Sequence, residues 1–148
     1  MVDVVIQGLS NEYDVDTNRI YACGYSNGAV FTWVLVASRP NLFAAFAPVA
    51  GIDNGNIESA STPEPVIFHF GEQDKEFKLA WAEKTIRRIK RMNRIEGQGD
   101  VWGTGYQWFK PEVGGAPFVL NLHPGGHEVP AYAPENIVAF FKMQSLSL

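Results

Sequence analysis

Short apolar runs alternate with helical patterns along the chain, and glycine and proline residues separate them. Some runs are short and rich in branched or aromatic residues, which is typical of buried strands. They cover residues 19–23, 43–49, 65–70 and 118–122. Because helical patterns lie between these runs, we expect an α/β fold with a mostly parallel sheet of about four strands, flanked by helices.

The segments between these runs carry the periodicity of helices. Residues 2–9 place apolar side chains at helical spacing, and residues 134–144 begin with a proline in the first turn. Residues 27–38 are apolar on almost every side, which predicts a helix in the interior. Residues 78–94 form the clearest amphipathic pattern, and we expect its basic face to be solvated rather than to bind a partner.

Composition limits the classes of protein that this chain can represent. With 148 residues, 46% hydrophobic and 19% charged, it can bury one core, so we expect a single catalytic domain over residues 1–148. The net charge of −4 provides no basic field for nucleic acid. No apolar run approaches the roughly 20 residues of a membrane span, and no membrane partner is expected.

The cysteine content and the first residues bear on the compartment. Cys23 is the single cysteine, so no internal disulfide is expected. The first residues lack the basic and apolar regions of a secretory signal. As the chain stands this favours a cytoplasmic location, and a secreted one if the chain is part of a longer precursor.

One serine lies between two glycines, in the stretch Gly24-Tyr25-Ser26-Asn27-Gly28. A bare match of this kind occurs often by chance, but here it follows a predicted strand and opens a predicted helix. That is the setting of a nucleophile elbow, in which glycines are expected because side chains at 24 and 28 would clash with the backbone. The helix N-terminus favours negative charge, and the backbone N–H of Asn27 would donate to an oxyanion.

A serine nucleophile needs a histidine base and a carboxylate that orients it. Two predicted strands end in loops that offer both, at the carboxyl edge of the sheet. Asp74 is favoured over Glu72 as the acid, and His127, which follows two glycines, is favoured over His123 as the base. His69 lies inside a predicted strand and is interpreted as a core residue.

Residues 16–51, DTNRIYACGYSNGAVFTWVLVASRPNLFAAFAPVAG, resemble the core of the polyhydroxybutyrate depolymerase and feruloyl esterase group of α/β-hydrolases. The resemblance continues at residues 65–74 and at Gly125-Gly126-His127. It implies Ser26 as nucleophile, Asp74 as orienting acid and His127 as general base. The implied activity is hydrolysis of short-chain, hydroxyalkanoate, acetyl or feruloyl esters, small or polymer-derived, through an acyl-enzyme, with no cofactor and no metal.

Aromatic side chains are the candidates for substrate binding, and we assign that role to Tyr25, Trp102 and Trp108. The last two lie in the glycine-rich segment 96–116, for which the sequence indicates no regular element. This segment either passes over a pocket or is a loop held by aromatic packing, and packing is favoured. Trp33, Trp81 and Tyr106 could also line an acyl pocket, although most of these side chains are expected in the core.

The chain also departs from the pattern of the group it resembles. Ala29 stands where a second glycine is common, and Phe70 where a histidine is common. Members of the group carry further strands before the position of Val2, and a loop there donates a second oxyanion N–H. The strand edge from Ile20 to Cys23 is therefore expected to be open, and we expect a homo-oligomer through that edge or completion by a separate segment. The alternative functions are a non-catalytic binding or assembly subunit and an incomplete reading frame without an independent role.

Overall fold

A six-stranded mixed sheet flanked by helices is the frame of the molecule, seen in a computed structural model that describes residues 1–146. The strand order across the sheet is β1-β2-β3-β6-β5-β4. The strands are β1 (Tyr21–Tyr25), β2 (Ala45–Val49), β3 (Val66–Gly71), β4 (Asp100–Val101), β5 (Gln107–Phe109) and β6 (Phe118–His123). Neighbours among β1, β2, β3 and β6 pair in parallel, which confirms the predicted α/β class and its parallel strands.

The sheet has two more strands than the sequence predicted. β4 and β5 form an antiparallel hairpin that adds to β6 through pairs such as Trp108 with Val119. Both lie in the segment 96–116, which was expected to be without regular structure. The strands are only two and three residues long, so no alternation of apolar and polar side chains could develop to mark them.

The helices occur where the sequence predicts them. They are α1 (Val2–Glu12), α2 (Asn27–Ser38), α3 (Leu79–Met92) and α4 (Ala133–Lys142), with a 3₁₀-helix at Thr17–Arg19. α2 is less enclosed than expected, because the side chain of Phe31 on its outer face is 46% exposed. Its inner face carries Trp33, which is fully buried and donates its indole N–H to the carbonyl oxygen of Gly51 at 3.1 Å. This bond ties α2 to the loop after β2.

Side chains alternate between two apolar layers along β3. Phe68 and Phe70 belong to the larger layer, which also contains Trp33 of α2. Ile67 belongs to the smaller layer, together with Phe140 of α4. The sheet is therefore covered on both faces, as expected for parallel strands.

A buried carboxyl group lies just before β3. Glu64 is only 3% exposed, and its carboxylate accepts the backbone N–H of Asn41 at 3.2 Å. The side chain of Asn93 bonds both backbone groups of Glu64, at 3.0 and 2.7 Å. Burial raises the pKa of Glu64 from its ordinary value of 4.5 to about 7.

This pKa predicts how the stability of the fold depends on pH. The folded state holds the Glu64 proton more tightly than the unfolded state, so the free energy of unfolding falls as pH rises from 4.5 through about 7. Glu64→Gln stays neutral and should be more stable than the wild type at pH 8, by on the order of 1–3 kcal/mol. Thermal unfolding at pH 5 and pH 8 measures this, and an advantage of equal size at both pH values would contradict it.

Candidate active site

Ser26 occupies a sharp turn between β1 and α2. Its backbone has φ 55° and ψ −118°, a conformation that L-residues rarely adopt, and its N–H donates to the carbonyl oxygen of Val49 at 3.0 Å. A Cβ at Gly24 would overlap the carbonyl group of Gly28, so only glycine allows the strand and helix to approach this closely. The turn therefore has the strained geometry of a nucleophile elbow.

The expected clash at the second glycine of the motif was wrong. A Cβ at Gly28 would meet no atom within 4 Å outside its own helix. It is the carbonyl of Gly28, not its α-carbon, that approaches Gly24 and accepts the hydroxyl of Thr32 at 2.8 Å. Sequence alone does not show whether both glycines lack room for a Cβ or whether one of them only contributes its carbonyl group to the contact.

Three side chains meet at this turn. The Oγ atom of Ser26 lies 2.8 Å from Nε2 of His127, and Nδ1 of His127 lies 2.8 Å from Oδ2 of Asp74. The side chain of Asp74 is fully buried, whereas that of His127 is 19% exposed. Ser26 follows β1, Asp74 follows β3 and His127 follows β6, so the carboxyl ends of three parallel strands bring them together.

The second oxygen of Asp74 is also occupied. Oδ1 accepts the backbone N–H groups of Glu76 and Phe77 at 2.8 and 2.9 Å. These bonds fix the carboxylate so that Oδ2 faces the imidazole. A carboxylate on Nδ1 leaves Nε2 free to accept the hydroxyl proton of Ser26, and this arrangement can activate a serine nucleophile.

The other candidate acid and bases do not reach Ser26. Glu72 is exposed to solvent. His69 is fully buried with Nε2 2.9 Å from the hydroxyl of Tyr106, and burial, with a contribution from His123, lowers its pKa to about 4. Burial also lowers the pKa of His123, whose Nδ1 accepts the N–H of Gly125 at 3.2 Å. Both of these rings are neutral packing residues at neutral pH.

Two aromatic side chains hold the imidazole of His127. The hydroxyl of Tyr25 donates to the carbonyl oxygen of His127 at 2.8 Å, and the two rings lie 5.2 Å apart. The ring of Phe77 lies 5.7 Å from the imidazole. The sequence predicts a substrate-binding role for Tyr25 and does not mark Phe77 as a site residue. Phe77 lies three residues after Asp74, on the loop that carries the acid, and this position is the sequence feature that could have marked it as a site residue.

The aromatic residues of the hairpin lie elsewhere. Trp102 and Trp108 contact each other, and each packs edge-on against Phe140 of α4. Since β5 is four strands away from β1 in the sheet, neighbouring strands at about 4.8 Å place it roughly 19 Å from the elbow strand. These contacts support packing, the alternative that the sequence favoured, and the assignment of Trp102 and Trp108 to substrate binding stays a prediction.

Asn27 is the first residue of α2 and is exposed. Backbone N–H groups in the first turn of a helix have no partner within the helix, so the N–H of Asn27 is available to a negative oxygen beside Ser26. Within residues 1–146, no group of three or more His, Cys, Asp or Glu side chains could hold a metal ion. No helix in that part of the chain is long and apolar enough to cross a membrane.

Comparison with known proteins identifies the family. The model of the prolyl oligopeptidase family matches residues 3–97, which is more than half of the chain. The chain therefore belongs to this family of α/β-hydrolases. The match includes both Ser26 and Asp74, and it confirms the resemblance to α/β-hydrolases that residues 16–51 indicated.

Curated relatives share parts of the chain. Acetylxylan esterase A of Emericella nidulans is 42% identical over 64 residues, 43% of this chain and 20% of that protein. Feruloyl esterase B of Talaromyces funiculosus is 24% identical over 121 residues, which are 82% of this chain and 26% of that protein. Poly(3-hydroxyalkanoate) depolymerase C of Paucimonas lemoignei is 36% identical over 47 residues, which are 32% of this chain and 11% of that protein. The chain thus spans between 11% and 26% of the length of these three relatives.

Solved structures share the fold. A carboxylesterase from Bacillus cereus superposes with a TM-score of 0.69 at 18% identity, over 96% of this chain and 57% of that chain. An acetyl xylan esterase from Aspergillus awamori superposes with a TM-score of 0.66 at 17% identity, over 94% and 65%. Both likenesses confirm an α/β-hydrolase type of fold that covers part of the length of the neighbours.

The loop of His127 packs against β3 so tightly that it can be displaced by one methyl group. A Cβ at Gly71 would overlap the carbonyl oxygens of Gly125 and Gly126. Gly71→Ala should move the imidazole and slow the labelling of Ser26 by a fluorophosphonate probe about ten- to hundred-fold. Gly97→Ala is the matched control, since a Cβ there meets nothing within 4 Å. Equal labelling rates in the two folded variants would contradict this account of the loop.

Proposed function

We propose that the protein is a serine carboxylic ester hydrolase. The observation that carries this proposal is the chain of two 2.8 Å hydrogen bonds from Ser26 through His127 to the buried Asp74. The strained turn at Ser26 and the helix N-terminus beside it support the same chemistry. Relatives named as acetylxylan and feruloyl esterases favour an ester as the substrate.

The proposed reaction has two halves. In the first, the Oγ atom of Ser26 attacks the ester carbonyl carbon while Nε2 of His127 takes the hydroxyl proton. The carbonyl electron pair moves to oxygen, which accepts the N–H of Asn27. The alcohol then leaves with the proton from His127. In the second half, water attacks the acyl group, gives its proton to His127 and releases the acid as Ser26 regains its proton.

The substrates that we propose are short acyl, hydroxyalkanoate or feruloyl esters. The named activities of the relatives support this range, since they include acetylxylan esterase, feruloyl esterase and poly(3-hydroxyalkanoate) depolymerase. Ser26 and His127 are both partly exposed at the carboxyl edge of the sheet. A site of this kind is open to an ester carried on a polymer as well as to a small ester.

Substitutions at the three residues test the proposal. Ser26→Ala, His127→Ala and Asp74→Asn should each lower the turnover of 4-nitrophenyl acetate and butyrate by at least about 1,000-fold. Ser59→Ala and Glu72→Gln are matched controls on exposed loop residues and should retain turnover. If all folded variants and the wild type are equally inert, the chain acts as a non-catalytic binding or assembly subunit instead.

We also propose that two copies associate through β1. Among residues 1–146, no strand pairs with the outer edge of β1. An apolar groove lies between β1 and α4, and it contains the exposed side chains Cys23, Tyr25 and Val138. No charged side chain lines the groove. Two copies related by a two-fold axis would pair β1 with β1 and cover both grooves at once.

Light scattering at micromolar concentration tests this association. The wild type should have twice the mass of one chain. Cys23→Lys places a charge on the strand edge and should give the monomer, whereas Val113→Lys, at a side chain that is 96% exposed, should leave the dimer intact. A monomeric wild type would contradict the proposal.

A further inference from the structure

A cavity of about 270 Å³ lies beside the candidate active site and takes no part in the proposed chemistry. It is formed by the loop that follows β2 and by the exposed side of α3. Both segments begin at the carboxyl edge of the sheet, which also carries Ser26, Asp74 and His127. The lining residues are Ile52, Asp53, Asn54, Trp81, Lys84 and Arg88.

The polar side of this cavity is rigid. The side chain of Asp53 is fully buried and accepts the guanidinium of Arg88 at 2.9 Å and the backbone N–H of Asn56 at 2.8 Å. Arg88 also bonds the carbonyl oxygen of Asp53 at 3.2 Å and the carboxylate of Glu58 at 2.7 Å. These three bonds occupy three of its five N–H donors. Arg88 is therefore held in a fixed position at the wall of the cavity, where its side chain is 9% exposed.

The apolar side of the cavity is an indole ring. Trp81 lies in the first turn of α3 and is 44% exposed, whereas Trp33 is fully buried. The ammonium group of Lys78 lies 5.5 Å from the centre of the Trp81 ring. Lys84, one turn further along α3, is exposed at the same cavity. A flat apolar surface therefore lies beside the exposed hydrogen-bonding groups of Lys84 and Asn54.

The cavity begins close to the nucleophile. The α-carbon of Gly51 lies so near the elbow that an added Cβ would be 2.6 Å from the carbonyl oxygen of Ser26. Ile52 is the next residue along the chain, and successive α-carbons are about 3.8 Å apart. The wall of the cavity thus starts within roughly 10 Å of Ser26. A group attached to the alcohol side of a bound ester is within reach of it.

We propose that this cavity binds one pyranose ring of a neutral oligosaccharide whose neighbouring sugar carries the ester. A pyranose ring presents C–H groups on its faces and hydroxyl groups on its edge. The faces would stack on the indole of Trp81, and the hydroxyls would bond the exposed side chains of Asn54 and Lys84. This inference rests on the proposed ester hydrolase function and specifies the alcohol part of its substrate.

Two substrates and three variants test the subsite. The measured quantity is the ratio of kcat/KM for acetylated xylo-oligosaccharide to kcat/KM for 4-nitrophenyl acetate, which has no sugar. Trp81→Ala should lower this ratio about ten-fold. Trp81→Phe should lower it less. Tyr13→Ala removes an aromatic side chain that is 60% exposed outside the cavity and should leave the ratio unchanged. An equal ratio in Trp81→Ala and the wild type would overturn the subsite while leaving the hydrolase proposal intact.

A direct binding measurement distinguishes the sugar subsite from the ester hydrolase function. Xylotetraose should change the tryptophan fluorescence of Ser26→Ala, and the change should be lost in Ser26→Ala combined with Trp81→Ala. Because stacking of a neutral ring is not electrostatic, binding should persist in 0.3 M NaCl, a concentration at which exposed charges are screened within about 6 Å. Binding that disappears with salt, or no binding at all, would overturn the subsite. Binding of xylotetraose, together with an absence of turnover in the folded wild type, would support the subsite and contradict the hydrolase function.

Discussion

A fully buried carboxylate, Asp74, sets the arrangement of the candidate site. A buried charge is costly unless hydrogen bonds replace its water, and Asp74 has three partners: two backbone N–H groups and the imidazole of His127. These bonds fix the loop after β3 and, through it, the loop after β6. Loss of the carboxylate would release both loops, so the position of the base depends on this one group.

The carboxyl edge of the sheet positions the other two side chains of the candidate site, Ser26 and His127. Parallel pairing sets the ends of β1, β3 and β6 at one edge, and the register of Gly71 with His123 brings the acid and histidine loops into backbone contact. The absence of a side chain at Gly24 lets α2 begin directly over β1, which turns Ser26 towards His127. Tyr25, one residue before the serine, then holds the carbonyl of the histidine itself.

The strands and the order of the site residues could be predicted because they depend on local patterns. The run 65–70 is readable from its continuous branched and aromatic residues, Gly71 marks the start of the loop to Asp74, and two glycines mark the bend before His127. The hairpin β4–β5 could not be predicted, because strands of two and three residues leave no periodicity. The roles of Tyr25 and Phe77 and the cavity at Trp81 depend on contacts across many residues of sequence, which spacing does not encode.

Trapping of the acyl-enzyme is the most direct test of Ser26 as the nucleophile. The protein would be mixed with 4-nitrophenyl acetate, quenched in acid within the first turnover, digested and analysed by mass spectrometry. We predict one acetyl group on the peptide that contains Ser26, and none on that peptide in the His127→Ala variant. Acetylation spread over surface lysines, with Ser26 unmodified in the folded wild type, would contradict it.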